Sequence, residues 1–237
     1  MPAHARKIAL EELLRQRRLA PVGPALRGER RRSPLSTGHT GLDTRLDGGL
    51  PRGQLSEAIG PASSGRTGLS LAIASRVTST GGLAAWLDPL DRLDPASAAA
   101  AGIEFDRLLW LRGAPGAPRA TADAARVLPT LIASGIFDLV VLDLAGVPAM
   151  ELQRLPTSTW IRVQRALEGK DVALLLLATQ HVAKSPQGVK LAFEAATARF
   201  EGTHPGRLLV SLRAAVRPGP LALRGEGIEL PAVRPQR

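Results

Sequence analysis

The residues best suited to chemistry in this chain are Gly60-Pro61-Ala62-Ser63-Ser64-Gly65-Arg66-Thr67. They follow the phosphate-cradling pattern G-x-x-x-x-G-K-[S/T] at every position but one, because Arg66 stands where a lysine belongs. In such a loop Gly60 and Gly65 free the backbone, so that N–H groups through Ser63 and Ser64 converge on phosphate at a helix N-terminus. Thr67 supplies the hydroxyl that would meet a magnesium ion. Arginine keeps the positive charge, but its broad planar fork does not reproduce a compact ammonium bridging the terminal phosphates. The same residues also suit a bare strand–turn–helix connection that keeps the shape and holds no ligand. Gly68, in the first helical turn, weakens that helix.

Two further elements join the loop. Phe137-Asp138-Leu139-Val140-Val141-Leu142-Asp143 is an apolar strand ending in a carboxylate, the arrangement that carries an Asp to the water shell of a nucleotide-bound metal. Many buried strands end in Asp, so the pairing with the earlier loop gives this one its weight. The run from Ala173 to Thr179 then places Gln180 at the C-terminal end of the next strand, where ligands are met in open α/β sheets.

These groups need a sheet to hold them, and the chain alternates accordingly. Strands are expected at Leu55–Ile59, Leu83–Leu87, Leu108–Leu111, Phe137–Leu142 and Val172–Leu177. Helices are expected at Thr67–Thr80, Pro95–Ala101, Thr121–Ser134 and Thr157–Leu167. Apolar strands alternating with amphipathic helices predict an α/β fold, a mostly parallel twisted sheet with helices on both faces. Ala195–Phe200, Leu208–Ala214 and Gly227–Leu230 lack intervening helices and are expected as antiparallel edge strands. In 6–20, Ile8, Leu10, Leu13, Leu14 and Leu19 share one helical face, suited to the chain's own core or to a partner. The organisation expected is a basic N-terminal helix and linker over 1–35, a core over 36–216 and a basic C-terminal tail over 217–237.

Charge is segregated in the same way. The net charge of +10 comes from the ends: nine Arg/Lys against three acids in 1–35, and six against two in 203–237. The stretch between holds sixteen of each. Basic arms attract nucleic acid by counterion release, which makes Arg30, Arg31 and Arg32 candidate contacts for single-stranded DNA; Lys184 and Lys190, outside the arms, are further candidates. Against this, 27 of the 31 basic residues are arginine, as GC-rich coding alone produces, and seven Phe and Trp with no Tyr leave little for base stacking. Zero cysteines exclude disulfides, thiolate zinc sites and a cysteine nucleophile. His4, His39, His181 and His204 are scattered, so no metal site is expected. No apolar run approaches the roughly eighteen residues of a membrane span, and no apolar signal region follows Arg6 and Lys7. A cytoplasmic, nucleoid-associated protein without membrane contact is expected.

One resemblance is specific. Ser36-Thr37-Gly38, Gly41-Leu42-Asp43, Gly48-Gly49-Leu50-Pro51-Arg52-Gly53 and Gly60-Pro61 through Thr67 resemble the RecA approach to its phosphate loop almost residue for residue. The likeness continues through Gly82, Leu87-Asp88, Leu93-Asp94-Pro95 and Ala101-Gly102-Ile103; it covers roughly 36–215 and is strongest over 36–112. It implies a RecA-like core. It also implies that Leu90, in Asp88-Pro89-Leu90, replaces the glutamate that activates the attacking water. General-base help worth about 10²–10⁴-fold is lost with it. Asp91 is adjacent, but a one-residue shift after a proline aims it elsewhere. Gln180 matches the family's nucleotide-sensing glutamine, Leu144 replaces a serine, and both DNA loops, after Asp143 and at His181 to Gln187, are shortened.

Among RecA-like proteins the build resembles the ImuA accessory proteins of bacterial damage-induced mutagenesis. That implies a non-catalytic role in the SOS response and translesion synthesis. The partners implied are an ImuB-type Y-family polymerase homologue, RecA itself and, indirectly, an error-prone replicative-type polymerase. ATP and magnesium suit the loop in outline, but the combined losses count against both, and no cofactor or catalytic residue is expected. Leu10, Leu13, Leu14, Leu221 and Leu223 are candidate partner-docking positions. A weak DNA-dependent ATPase and a damage-induced cell-division inhibitor are the alternatives.

Overall fold

The computed structural model describes residues 33–114, 117, 119–183, 188–194, 196–203, 208–218 and 226–231. Its elements run α1 (Thr40–Arg45), β1 (Leu55–Ile59), α2 (Arg66–Ser79), β2 (Ala84–Asp88), α3 (Pro95–Ala100), a single 3₁₀ turn (Phe105–Arg107) and β3 (Leu108–Arg112). They continue with α4 (Ala120–Ser134), β4 (Leu139–Asp143), α5 (Ala149–Gln153), α6 (Thr157–Leu167), β5 (Ala173–Ala178), β6 (Lys190–Phe193), β7 (Thr197–Glu201), β8 (Leu208–Pro218) and β9 (Glu226–Pro231).

The strands form one sheet in the order β3-β2-β4-β5-β1-β6-β8-β7, with β9 paired to β8. From β3 to β6 every pairing is parallel, and the last three strands join antiparallel. The uninterrupted apolar strands follow from burial on both faces. In β4, Val140 and Leu142 pack on one face and Leu139 and Val141 on the other; β5 divides the same way between Leu174 and Leu176, and Leu175 and Leu177. One face is covered by α4 and α6 through Leu128, Leu131, Trp160 and Val163, the other by α2 through Leu69, Ile73 and Val77. A fully buried leucine is worth about 1.5–3 kcal/mol, so both layers contribute to holding the strands in place. The expected α/β architecture, parallel sheet, two-sided helices and antiparallel edge are all present.

Three elements escape the sequence pattern. The segment Lys190–Phe193 forms a parallel strand beside β1, with Lys190 in register with Glu57. The short helices α1 and α5 bury one leucine each, Leu42 and Leu152. At the margins, Leu35 exchanges backbone hydrogen bonds with Leu50 at 2.7 Å, and β9 is drawn from 226–231, inside the segment read as a tail. Among the described residues, no helix is long and apolar enough to cross a membrane.

Candidate functional site

Parallel strands β1, β4 and β5 end side by side at Ile59, Asp143 and Ala178, and the loop over 60–65 lies across these ends. Its backbone has the tight winding the glycines predict. Gly65 is left-handed (φ 94°) and caps α2, and Ser63 is also left-handed (φ 58°), an unusual setting for a residue with a side chain. Gly60 is needed for packing: a Cβ there would lie 2.6 Å from the Phe193 carbonyl oxygen of β6. Ser64 is fully buried in the loop, and its hydroxyl has no hydrogen-bond partner.

Arg66 decides what this loop can hold. Its side chain is buried and folds back beneath the loop. One terminal nitrogen donates to the carbonyls of Gly60 and of Ala178, the latter at 2.8 Å, and the other donates to the Ala145 carbonyl at 3.3 Å. Burial lowers the guanidinium from its ordinary value, and nearby Asp143 opposes that shift. The cation that would meet terminal phosphates is thus bound to three backbone carbonyls of its own chain. Thr67 is exposed at the start of α2. The loop's outline suits a phosphate; its charged side chain does not fit a nucleoside triphosphate with magnesium.

Around Asp143 burial outweighs the favourable groups that face it. Its carboxylate accepts from the Ala145 amide at 3.0 Å. Burial raises its pKa first of all, and Asp88 adds to this, while the Ala145 amide, Arg66 and Arg92 oppose. Arg92 reaches the same corner, since a Cβ on Gly146 would sit 2.6 Å from its guanidinium. Asp88 is buried and accepts from the amides of Arg92 (2.9 Å) and Leu93 (2.7 Å) and from Trp110 Nε1 (3.3 Å). Leu90 packs against the apolar cluster beneath α4 and α6. Asp91 binds Arg112 with both oxygens, at 2.6 and 2.8 Å.

Gln180 lies beside a cleft of about 210 Å³ lined also by Leu152, Trp160, His181 and Val182. The chain just beyond it is anchored by Glu57, a buried carboxylate in β1 that pattern reading passed over. Glu57 accepts from the amides of Val182 (3.0 Å) and Ala183 (2.8 Å) and pairs with His181 Nδ1 at 3.0 Å. A lone acid inside the apolar strand Leu55–Ile59 was the available signal. Arg92 offered none, because its role depends on a distant glycine. The structure therefore brings Gly60, Arg66 and Asp143 together, while Lys190 is half-buried in β6. Arg30, Arg31, Arg32, Lys184, Leu10, Leu13, Leu14, Leu221 and Leu223 lie outside the described residues.

Residues 25–172 match the family model described as the RecA N-terminal domain. The chain belongs to the RecA family. It is 34% identical over 187 residues to Protein RecA of Acidothermus cellulolyticus, covering 76% of this chain and 53% of that one. It is 38% identical over 130 residues to Protein RecA of Rubrobacter xylanophilus, covering 54% and 36%. Protein RecA of Rhodospirillum centenum is 41% identical over 122 residues, covering 50% and 33%. The chain thus spans between a third and about half of the length of these RecA proteins.

Proposed function

We propose that this RecA-family chain is a non-catalytic accessory protein of the bacterial DNA-damage response, acting in translesion synthesis through protein–protein contacts. The observation that carries the reading is Arg66, whose guanidinium is held by the carbonyls of Gly60, Ala145 and Ala178 instead of projecting toward a phosphate. Leu90 supports it, because an apolar side chain at that position cannot take a proton from water. Asp91, the neighbouring carboxylate, is committed to Arg112. A RecA-like core without turnover retains surfaces by which it can pair with RecA or with an ImuB-type polymerase homologue. ATP hydrolysis measured with and without single-stranded DNA, beside light scattering of mixtures with RecA and with the polymerase homologue, tests the reading. Complexes without hydrolysis are expected; DNA-stimulated turnover abolished by Asp143→Ala would replace the reading with that of a weak ATPase.

A further inference from the structure

Arg66 touches three separate segments, and their identity matters more than the number of bonds. Gly60 follows the last residue of β1, Ala178 is the last residue of β5, and Ala145 lies two residues past the end of β4. The Ala178 carbonyl also accepts from the Gly60 amide at 3.2 Å, so one oxygen serves both the loop backbone and the guanidinium. Beside it, the Leu144 amide donates to the Leu177 carbonyl at 2.8 Å, and the Val147 amide to the Leu144 carbonyl at 3.1 Å. The roots of the segments after β4 and β5 therefore meet at one planar cation. Guanidinium suits this position: it stays charged and presents several donors in a fixed plane, whereas an ammonium gathers its donors at a single atom.

We propose that Arg66 is an internal ligand of the loop, fixing the segments after β4 and β5 against the cradle so that they hold one arrangement whether or not nucleotide is present. An anion that recruited the fork into the cradle would draw it off the carbonyls of Gly60 and Ala145, while the Ala178 carbonyl would keep only the Gly60 amide. Such a lock keeps a binding surface built from these segments permanently set. This inference rests on the accessory reading, since it explains how that surface is maintained without a nucleotide cycle.

Hydrogen–deuterium exchange on the full chain tests it, comparing wild type, Arg66→Lys and Arg66→Ala, each with and without millimolar ATP and magnesium. In the wild type, exchange over 144–147 and 179–183 is expected to be the same in both conditions. Charge-assisted bonds are lost in Arg66→Ala, so exchange over 144–147 should rise by about tenfold or more, while the Val182 and Ala183 amides stay held by Glu57. Arg66→Lys should exchange faster than wild type without nucleotide and slow again when ATP is added. Wild-type exchange that changes with ATP overturns the proposal; so do variants that exchange like wild type over 144–147. Should Arg66→Ala fail to fold, Arg66→Lys and the wild-type comparison still decide the matter. ATP turnover by the wild type would defeat the accessory reading, whereas unaltered exchange in the variants would defeat the lock and leave that reading standing.

Discussion

Asp91 holds Arg112 through a two-pronged ion pair, at 2.6 and 2.8 Å, across the ends of β2 and β3. The same guanidinium stacks on Trp110, 4.5 Å from the ring centre, and Trp110 donates to Asp88. The carboxylate nearest to Leu90 is thus bound into a corner that fastens the turn after β2 to the edge strand. Its backbone is left-handed (φ 55°), so the turn itself, following Pro89, sets the direction in which the side chain leaves.

Asp91→Asn tests this assignment through pH. The Arg112 hydrogen bond holds the Asp91 pKa below its ordinary value of 3.8. A lowered folded value means that the contribution is present above the unfolded value and is lost as pH falls through the folded one. The wild type should therefore exceed the Asn variant in stability at neutral pH, and the two should converge in acid. Urea denaturation across that range measures the gap; a constant gap would sink the assignment.

Ser64→Ala addresses the loop from within. Its buried hydroxyl has no hydrogen-bond partner, and leaving such a group unsatisfied costs about 1–3 kcal/mol. Removing it should leave the fold as stable as the wild type or raise it by about 1 kcal/mol. A loss of stability in chemical denaturation would mean that the hydroxyl makes a bond of its own.

Much of this frame is legible in the sequence. The strands β4 and β5 announce themselves as continuous apolar runs because α2 covers one of their faces and α4 and α6 the other. The strand β6 does not: Lys-Leu-Ala-Phe is four residues long, and only its pairing with β1 makes it a strand. In α1 a single leucine is buried, too little for a periodic signal. At the site, the spacing from Gly60 to Thr67 located the loop, and the Lys-to-Arg replacement was visible. The destination of the guanidinium was not, because Gly60, Ala145 and Ala178 come together only when three strands end side by side. Main-chain acceptors leave no trace in residue types.

Glu57 provides a test of the anchoring beyond β5. Its carboxylate, 2% exposed, receives two backbone amides and His181. Glu57→Ala leaves those amides without an acceptor and should cost about 2–4 kcal/mol. Glu57→Gln keeps one acceptor oxygen and should cost less, while speeding proteolysis near 181–183. Equal stabilities of both variants and the wild type would remove Glu57 as the anchor.

Asp143→Asn completes the set, and its sign is opposite to that of Asp91. Burial is the largest influence on this carboxyl and raises its pKa above the ordinary 3.8, despite Arg66, Arg92 and the Ala145 amide. The folded chain therefore binds this proton more tightly than the unfolded chain does, and stability falls as pH rises from the unfolded value through the folded one. Above that window the loss is complete and constant. Asparagine avoids it while still offering an oxygen to the Ala145 amide. The variant should exceed the wild type in stability at neutral pH, with the advantage shrinking as acidification carries the pH down through the raised folded value to the ordinary carboxyl value. Parallel urea titrations at neutral and acid pH read this difference directly. A variant weaker than wild type at neutral pH would show instead that Arg66 and Arg92 depend on the Asp143 charge more than burial opposes it, so that the three form one obligate ion cluster.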